Sequence, residues 1–323
     1  MNTATLSVVV PVYRNEQTLP ALLEQLSDLF EHTRRRLEVV FVLDGSPDNS
    51  HALLTTRLPR MPFRSTVLCL SRNFGSFAAI RSGFAIATGD RIAFLAADLQ
   101  QPVSSVRAFF EMLDRGADIA IGQRATRDDP WSSRIVSALF WRLYRRFVQH
   151  DVPPGGVDAF ACTAQVRDIL VALPEANSTL IGLLFWVGFR REFVSYDRVK
   201  RVSGSSGWTL GRKLRYGFDS VFAFSDLPIT TMIVLGFGGI VSALIAGAVI
   251  VAAWITGAGN VRGYTPIMLA ILLSFSTMLL AIGLLGGYVW RIFENTKGRP
   301  SHIAQSVTTF GPAPRPVPAG ERL

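Results

Sequence analysis

The sequence predicts an α/β protein with a doubly wound, mostly parallel sheet, followed by two helices long enough to cross a membrane. Strand-like apolar runs alternate with helical patterns through the first 121 residues, which is typical of such sheets. Ile229–Ile255 and Thr265–Trp290 contain no charged residue, and each exceeds the roughly 20 residues that a membrane-spanning helix needs. Only the short Gly257–Tyr264 segment joins them, so they are predicted to form a transmembrane hairpin.

The first half of the chain supplies the strands and helices of the predicted sheet. Leu6–Val12 is a continuous apolar run rich in valine, typical of a strand buried on both faces. Further strands are predicted at Leu37–Leu43, Ser65–Leu70, Arg91–Ala97 and Asp118–Ile121, and helices at Gln17–Phe30, Phe77–Ala87 and Val103–Leu113.

Polar clusters follow four of these strands at the point where each one ends. They are Pro11–Glu16, Asp44–Ser46, Ala97–Asp98 and Gly122–Arg124. Ligands of parallel α/β sheets bind beyond the carboxyl ends of the strands. The sequence therefore predicts one binding site along this edge.

The distribution of charge predicts the orientation in the membrane. The net charge of +9 is compatible with nucleic-acid binding, but no nucleic-acid motif accompanies it. Basic residues crowd on both flanks of the apolar runs, which favours anionic lipid or phosphate ligands. They are Arg190, Arg191, Arg198, Lys200, Arg201, Arg212, Lys213, Arg215, Arg291, Lys297, Arg299, Arg315 and Arg322. Since basic flanks stay cytoplasmic, both termini are expected in the cytoplasm. The Ala- and Arg-rich composition, with no eukaryotic targeting signal, suggests a bacterial inner membrane.

These patterns divide the chain into four predicted parts. Residues 1–207 form the cytoplasmic domain, 208–227 a juxtamembrane amphipathic helix, 228–291 the hairpin, and 292–323 a cytoplasmic tail. The amphipathic helix Trp208–Phe224 either lies in the membrane interface or packs on the domain, and its position beside the first apolar run favours the interface. The same alternatives apply to Ser132–Gln149. Four prolines after Phe310 predict a disordered end.

The order of motifs resembles family-two glycosyltransferases, specifically the polyprenyl-phosphate glycosyltransferases, which include dolichol-phosphate mannose synthases and bactoprenol glucosyltransferases. The motifs that carry the resemblance are VVVPVYRNE, LDGSPDNS, LSRNFGSFAAIRSGFAIATGD, AADLQQP, IGQR, RVSGSSGW, FSDLPI and YVWRIFENTKGRP. The resemblance implies a nucleotide-diphospho-sugar transferase A-type fold. It also implies inverting transfer of a sugar from a UDP- or GDP-sugar to a polyprenyl phosphate such as undecaprenyl phosphate, feeding cell-envelope glycan or glycolipid modification.

The resemblance assigns the nucleotide to the ends of the first two strands. Pro11, Tyr13 and Glu16 are expected to hold the base and ribose, and Asp44 to accept a hydrogen bond from a ring N–H of the base. The family usually has two aspartates at the second strand end, whereas this chain has Leu43 before Asp44. The residues alone leave Asp44 open to another role, as a turn residue that caps the next helix.

A divalent cation, Mg²⁺ or Mn²⁺, is expected at Asp98 and Gln100. The family motif is Asp-X-Asp, but here it reads Ala96-Ala97-Asp98, so one carboxylate is missing. Magnesium commonly uses one or two carboxylates together with substrate phosphates. Asp98, with the Gln100 amide and a diphosphate, therefore remains the predicted metal site. The alternative is that Asp98 caps a strand end.

Phosphate groups are assigned by the resemblance to Arg124, Arg134, Arg201 and Ser206, because the planar guanidinium of arginine pairs bidentately with phosphate. Asp98, Arg124 and Asp158 are the expected catalytic residues, with Asp158 orienting the acceptor or the donor sugar. Arg134 also fits a solvated helix residue, and Asp158 a helix cap.

Two other functions stay open from the sequence. One is a transferase acting on a lipid or glycan hydroxyl, which needs a general base. The other is a catalytically silent membrane protein that binds nucleotide sugar, a reading motivated by Leu43, Ala96 and Gly207. Small residues in the apolar runs also permit close helix packing in a homo-oligomer; they are Gly236, Gly239, Gly283 and Gly287.

Overall fold

The computed structural model describes residues 4–33, 37–124, 141–142, 144–146, 149–153, 157, 159–173, 175, 178–197, 199, 210–256 and 264–311. The chain divides into two units. The first comprises Met1–Leu210 together with Arg299–Leu323, and the second Gly211–Gly298.

The first unit is built on a mixed but mostly parallel sheet. Its strands are β1 (Leu6–Val12), β2 (Leu37–Leu43), β3 (Arg64–Leu70), β4 (Arg91–Phe94), β5 (Ile119–Arg124), β6 (Ala159–Thr163), β7 (Arg191–Tyr196) and β8 (Ala304–Phe310). Within the described residues the strand order is β7-β5-β6-β4-β1-β2-β3-β8. β6 runs antiparallel to β4 and β5, and β8 antiparallel to β3, while the other neighbouring strands are parallel.

Helices cover both faces of this sheet, as a doubly wound fold requires. They are α1 (Leu19–Thr33), α2 (Ser50–Arg57), α3 (Ser76–Ile86), α4 (Val103–Asp114), α5 (Ala164–Ala172) and α6 (Leu180–Trp186), with a 3₁₀ turn at Leu58–Arg60. Val8 and Val10 share one core with residues of α1 and α4. Val9 faces α3 on the opposite side, where a Cβ on Gly83 would meet its Cγ1 at 2.3 Å. Since successive residues of a strand alternate between faces, the continuous apolar run of β1 is explained, and the predicted fold class is confirmed.

The second unit contains all but the first residue of α7 (Leu210–Phe224), and the whole of α8 (Leu227–Ile255) and α9 (Tyr264–Thr296). The apolar runs are helical, as the sequence analysis predicted, and α9 continues six residues beyond the predicted end at Trp290. Leu227–Ala253 and Ala270–Thr296 are long and apolar enough to cross a membrane, and the most apolar part of each helix is not buried in the protein. Asp219 on α7 forms a 2.8 Å ion pair with Arg291 on α9, whose guanidinium lies 4.9 Å from the Phe222 ring.

The strands β6, β7 and β8 were not among the predicted elements. β8 lies within residues 292–323, which the sequence analysis assigned to a tail, and it pairs with β3 along the edge of the sheet. The end predicted to be disordered lies mostly outside the described residues, as does much of the predicted helix Ser132–Gln149.

Candidate functional site

The carboxyl ends of β1, β2, β3 and β4 meet along one edge of the sheet, because these four strands are parallel neighbours. Each strand is followed there by a polar segment. The segments are Tyr13–Thr18 after β1, Asp44–Asn49 after β2, Ser71–Gly75 after β3 and Leu95–Gln101 after β4. This edge is the candidate site, as the rule for strand ends predicts.

The segments after β1 and β2 are joined by hydrogen bonds from backbone N–H groups of each segment to side-chain oxygens of the other. The Arg14 N–H donates to Ser46 Oγ at 2.7 Å, and the Glu16 N–H donates to Asp48 Oδ2 at 3.0 Å. In return, the Asn49 N–H donates to Glu16 Oε2 at 2.9 Å. A cavity of about 400 Å³ lies between the two segments, lined by residues 14–18, 47 and 48. Its volume is within the range of small-molecule sites.

Asp48 is the charged centre of this arrangement. Its carboxylate accepts hydrogen bonds from the hydroxyls of Ser46 at 2.6 Å and Ser50 at 2.9 Å, besides the Glu16 N–H. Partial burial by itself raises the pKa of the Asp48 carboxyl, but the hydrogen bonds from Ser46, the Glu16 backbone and Ser50 outweigh it and hold the pKa below its usual value. Asp48 therefore stays ionised and fixes both segments.

Tyr13 and Glu16, both predicted to contact the nucleotide, lie on this part of the edge. Tyr13 is 41% exposed, and the Arg14 guanidinium lies 5.4 Å from its ring. Glu16 lines the cavity. Pro11 lies within β1, just before the strand ends. It is half-buried and in register with Val42 of β2.

Asp44 occupies a different environment from these exposed groups. Only 3% of Asp44 is exposed. Its Oδ1 accepts a hydrogen bond from the Phe74 N–H at 2.7 Å, and its Oδ2 accepts one from the Gly75 N–H at 2.9 Å. The carboxylate thus binds the segment that follows β3.

The segment after β4 carries the predicted metal ligands in a tightly bonded turn. Asp98 Oδ1 accepts from the Gln100 N–H at 3.2 Å, and the Gln100 carbonyl accepts from the Val199 N–H at 3.0 Å. Leu99 between them has a φ of 58°, an uncommon left-handed conformation for a residue with a side chain. Both Asp98 and Gln100 are half-buried.

The donor set of this turn fits a hard divalent cation that also binds phosphate oxygens. Asp98 offers a carboxylate and Gln100 an amide oxygen, and both prefer partners such as Mg²⁺ or Mn²⁺. Across the described part of the chain, no three His, Cys, Asp or Glu side chains come together as a metal cage. An ion held here would therefore take further ligands from a substrate diphosphate.

The predicted phosphate-binding residues are only partly within the described structure. Arg124 is the last residue of β5, in register with Tyr196 of β7. Arg134, Asp158, Arg201 and Ser206 lie outside the described residues. The structure thus brings together the predicted nucleotide and metal residues along one edge, and it does not describe the predicted acceptor residues.

Three features of the edge were missed by the sequence analysis. They are the ionised Asp48, the hydroxyl of Thr18, which donates to the Ala97 carbonyl at 2.6 Å, and the Ser71–Gly75 segment. The segment had a usable signal, because the strand predicted at Ser65–Leu70 ends directly before it and the rule for strand ends applies there too.

A mostly parallel α/β sheet with polar segments and a small-molecule cavity at its carboxyl edge has the arrangement of a nucleotide-binding α/β protein. The model of the family described as "Glycosyl transferase family 2" matches residues 7–170, half of the chain. The chain belongs to this family, as the motif order indicated, and it is a glycosyltransferase that uses a nucleotide sugar.

Relatives resemble this chain over nearly its whole length. It is 29% identical over 306 residues to a putative glycosyltransferase, CsbB, of Bacillus subtilis (strain 168), covering 94% of this chain and 92% of the relative. It is 28% identical over 302 residues to the bactoprenol glucosyl transferase of Shigella phage SfX, covering 93% and 99%. Among solved structures, glucosyl-3-phosphoglycerate synthase from Mycobacterium tuberculosis in complex with Mn²⁺, UDP and phosphoglyceric acid is 20% identical, covering 67% of this chain and 75% of that one, with a TM-score of 0.44.

Proposed function

We propose that this glycosyltransferase moves a sugar, with inversion, from a UDP- or GDP-sugar to a polyprenyl phosphate at the cytoplasmic face of a bacterial inner membrane. One observation carries the proposal: two long, exposed, apolar helices, α8 and α9, are inserted in the chain between the family-2 domain and its last strand, β8. A soluble donor and a lipid acceptor require this combination of a polar edge and a membrane segment. Similarity to bactoprenol glucosyl transferases over nearly the whole chain supports the choice of acceptor.

The donor nucleotide is assigned to the edge formed by β1 and β2. Glu16 lines the cavity there, and Tyr13 offers an exposed aromatic ring. A carboxylate is suited to accept hydrogen bonds from ribose hydroxyls, and an aromatic ring to pack against a base. Because Asp48 and Ser46 fix the backbone of this segment, little ordering is needed when the nucleotide binds.

The diphosphate is assigned to the next strand end, where Asp98 and Gln100 would hold Mg²⁺ or Mn²⁺. The bound ion would neutralise charge that develops on the leaving diphosphate. Arg124 and Arg134 would add cationic hydrogen bonds to the same phosphates.

The acceptor phosphate is assigned to Arg201 and Ser206, with Asp158 orienting the acceptor or the donor sugar. A polyprenyl phosphate is already ionised near pH 7, so one of its oxygens attacks the anomeric carbon while the bond from that carbon to the diphosphate breaks. One displacement inverts the anomeric configuration and needs no strong general base. Positioning and charge neutralisation then supply most of the rate.

The membrane arrangement in this proposal follows the charge pattern. The hairpin spans the bilayer with both of its flanks cytoplasmic, and α7 lies in the interface, where Phe218 is 62% exposed. Residues 1–207 and 292–323 then remain on the side where nucleotide sugars are found.

The experiment that tests the function uses the purified full-length protein in detergent with Mg²⁺ or Mn²⁺. Undecaprenyl phosphate is supplied with a panel of UDP- and GDP-sugars, and the lipid product is detected by mass spectrometry. A glycosylated lipid phosphate from one donor supports the proposal. Transfer only to a lipid or glycan hydroxyl, with a pH profile that shows a general base, would replace the acceptor; no transfer with any acceptor would refute it.

A matched pair of variants tests the assignment of Asp98. Asp98→Asn preserves shape but removes the charge, and transfer is expected to fall by at least about a hundredfold, since a lost charged contact at a reacting diphosphate costs a few kcal/mol. Asp168→Asn removes an exposed carboxylate on α5 and serves as the control with unchanged activity. Full activity in Asp98→Asn would remove Asp98 from the site.

A further inference from the structure

The helix α7 carries the chain from the first unit to the first apolar helix, α8. Only Ser225 and Asp226 separate the two helices, and the Ser225 hydroxyl accepts a hydrogen bond from the Leu227 N–H at 3.0 Å. The sequence analysis left α7 with two alternatives, a position in the membrane interface or packing on the domain. Its contacts with α9 favour the membrane interface.

An ion pair joins α7 to α9. Asp219 Oδ1 accepts a hydrogen bond from Arg291 Nη2 at 2.8 Å, and the side chains of Asp219 and Arg291 are only 31% and 19% exposed. The Arg291 guanidinium also lies 4.9 Å from the ring of Phe222, three residues further along α7. Because both partners are largely withdrawn from water, solvent and salt screen this pair less than they screen a surface ion pair.

Apolar contacts surround the ion pair. The ring centroids of Phe222 and Tyr288 are 5.1 Å apart, and a Cβ on Gly287 would lie 3.7 Å from Cε1 of Phe222. Ser220 on α7 is completely buried, whereas Phe218 is 62% exposed. The helix α7 therefore packs on α9, and Phe218, four residues before Phe222, remains outside the contact.

Arg291 fixes the depth at which α7 meets α9. It is the first charged residue after the uncharged run Thr265–Trp290, so in a bilayer it marks the boundary between the apolar core and the headgroups. Since Asp219 is bonded to Arg291, the middle of α7 lies at the same level. The phosphate of a polyprenyl phosphate has to lie at this level too, because its prenyl chain dissolves only in the bilayer.

The sequence of α7 is basic ahead of Asp219. Arg215 and Arg212 precede Asp219 by four and seven residues, about one and two helical turns, and Lys213 lies between them. Cationic residues at a membrane surface attract anionic groups. A helix held at the boundary by α9 keeps these three residues at the depth of the acceptor phosphate, whereas a helix released from α9 does not.

We propose that Asp219 and Arg291 form a positioning pair that holds α7 at the membrane boundary and thereby determines how tightly the polyprenyl phosphate acceptor binds. Neither residue has to touch a substrate, and neither lines the cavity assigned to the nucleotide, so binding of the donor should not depend on the pair. The role in acceptor binding rests on the proposed function, whereas the attachment of α7 to α9 does not.

The first test measures the attachment of α7 without any substrate. Amide exchange is followed in residues 217–224 of the full-length protein in phospholipid nanodiscs. In Asp219→Asn the ion pair is lost, and exchange in this segment is expected to accelerate by about tenfold. Glu111→Gln is the matched control and should leave it unchanged, because Glu111 forms a 2.9 Å ion pair with Arg107 on α4, where the side chains are 46% and 56% exposed. Unchanged exchange in Asp219→Asn would overturn the proposal.

A second pair of variants keeps this test decisive if Asp219→Asn does not fold. Phe222→Leu removes the ring that contacts both Tyr288 and Arg291, and the same faster exchange in residues 217–224 is expected. Phe218→Leu is its control, because the exposed Phe218 lies one helical turn earlier and leucine is also apolar. Equal exchange in Phe222→Leu and Phe218→Leu would contradict the proposed attachment.

The second test separates acceptor binding from donor binding. Initial rates are measured with undecaprenyl phosphate and with the UDP- or GDP-sugar that is active in the panel described above. We expect Asp219→Asn to raise KM for undecaprenyl phosphate about fivefold, with kcat and KM for the sugar donor unchanged. An unchanged KM for the acceptor, or an equal rise in both KM values, would refute the positioning role. Absence of transfer by the wild type would refute the proposed function and the acceptor role with it, while the exchange result would still decide whether the pair holds α7.

A double variant shows whether the two residues act as one unit. Once Arg291→Gln has removed the partner, adding Asp219→Asn is expected to cause no further rise in KM for undecaprenyl phosphate. If the effects of the two substitutions on this KM multiply instead, Asp219 and Arg291 act independently and the proposed pair is wrong.

Discussion

The hydroxyl of Thr18 donates a 2.6 Å hydrogen bond to the carbonyl of Ala97, the residue that precedes the proposed metal ligand Asp98. Thr18 directly precedes α1 and is 4% exposed. This bond connects the segment that lines the nucleotide cavity with the turn that carries Asp98. The two halves of the proposed donor site are therefore fixed to each other by a side chain that need not touch a substrate.

We expect Thr18→Val to reduce the apparent affinity for the divalent cation more than it reduces the stability of the fold. Valine has nearly the shape of threonine, but it leaves the buried Ala97 carbonyl without this donor, which costs about 1–3 kcal/mol. The concentration of Mn²⁺ that gives half-maximal transfer should rise, as measured from initial rates at fixed donor. Thr18→Ser retains the hydroxyl and should restore the wild-type Mn²⁺ dependence. Equal Mn²⁺ dependence in Thr18→Val and wild type would show that the bond has no such role.

Restoring the missing carboxylate of the metal motif should tighten cation binding. Ala96 is half-buried and lies two residues before Asp98, so Ala96→Asp adds a second carboxylate near the first. We expect about tenfold tighter Mn²⁺ binding in the presence of nucleotide diphosphate, equivalent to about 1.4 kcal/mol, measured by electron paramagnetic resonance. Ala96→Asn has the same size without the charge and is the control. If both variants bind Mn²⁺ alike, charge at position 96 does not act on this site.

The ionised Asp48 should make the fold sensitive to acid in a defined direction. Its pKa is lowered in the folded protein, because hydrogen bonds from Ser46, Glu16 and Ser50 outweigh the opposing effect of burial. A lowered folded-state pKa contributes stability that is complete above the unfolded value of about 3.9 and is lost as the pH falls through the folded pKa. We expect Asp48→Asn to lower the melting temperature by about 2–4 °C at pH 7.

The pH dependence of that difference is the sharper measurement. Thermal unfolding of the wild type and Asp48→Asn in the same detergent should converge as the pH is lowered from 5 towards 3. A difference in melting temperature that stays constant over this range would mean that the charge of Asp48 contributes nothing.

Removing β8 should expose β3 as a new edge of the sheet. Residues Ser65–Leu70 of β3 pair with β8, and an unpaired apolar edge strand promotes aggregation. We expect a chain that ends at Ile303 to aggregate when extracted, as judged by size-exclusion chromatography. A chain that ends at Gly311 keeps all of β8 and is the control. A monodisperse protein ending at Ile303 would show that β8 is dispensable for the sheet.

The central strands were predictable because their own residues determine them. β1 and β2 are buried on both faces, which demands continuous apolar sequence, and their bounds agree with the prediction. β8 was not predictable in this way: nearly all of its side chains are exposed, so its sequence carries no apolar pattern. Its pairing depends on β3, which lies more than 200 residues earlier.

The sequence predicted which strand ends contribute to the candidate site, but it did not predict what each side chain contacts there. The rule for strand ends places Glu16, Asp44 and Asp98 on one edge, where the structure has them. What each carboxylate contacts depends on how distant loops fold. The hydrogen bonds of Asp44 require the Ser71–Gly75 segment, which follows β3, to approach the end of β2, and no local sequence pattern encodes that approach.

The position of β8 also has a consequence for how the protein is made. The ribosome synthesises β3 early but β8 only after α8 and α9. The outer edge of β3 therefore stays unpaired until both apolar helices have been made. If those helices enter the membrane as they are made, the last strand joins a domain that is already attached to the bilayer. Membrane insertion would then precede completion of the sheet, so the sheet would be completed only after the protein has reached the membrane.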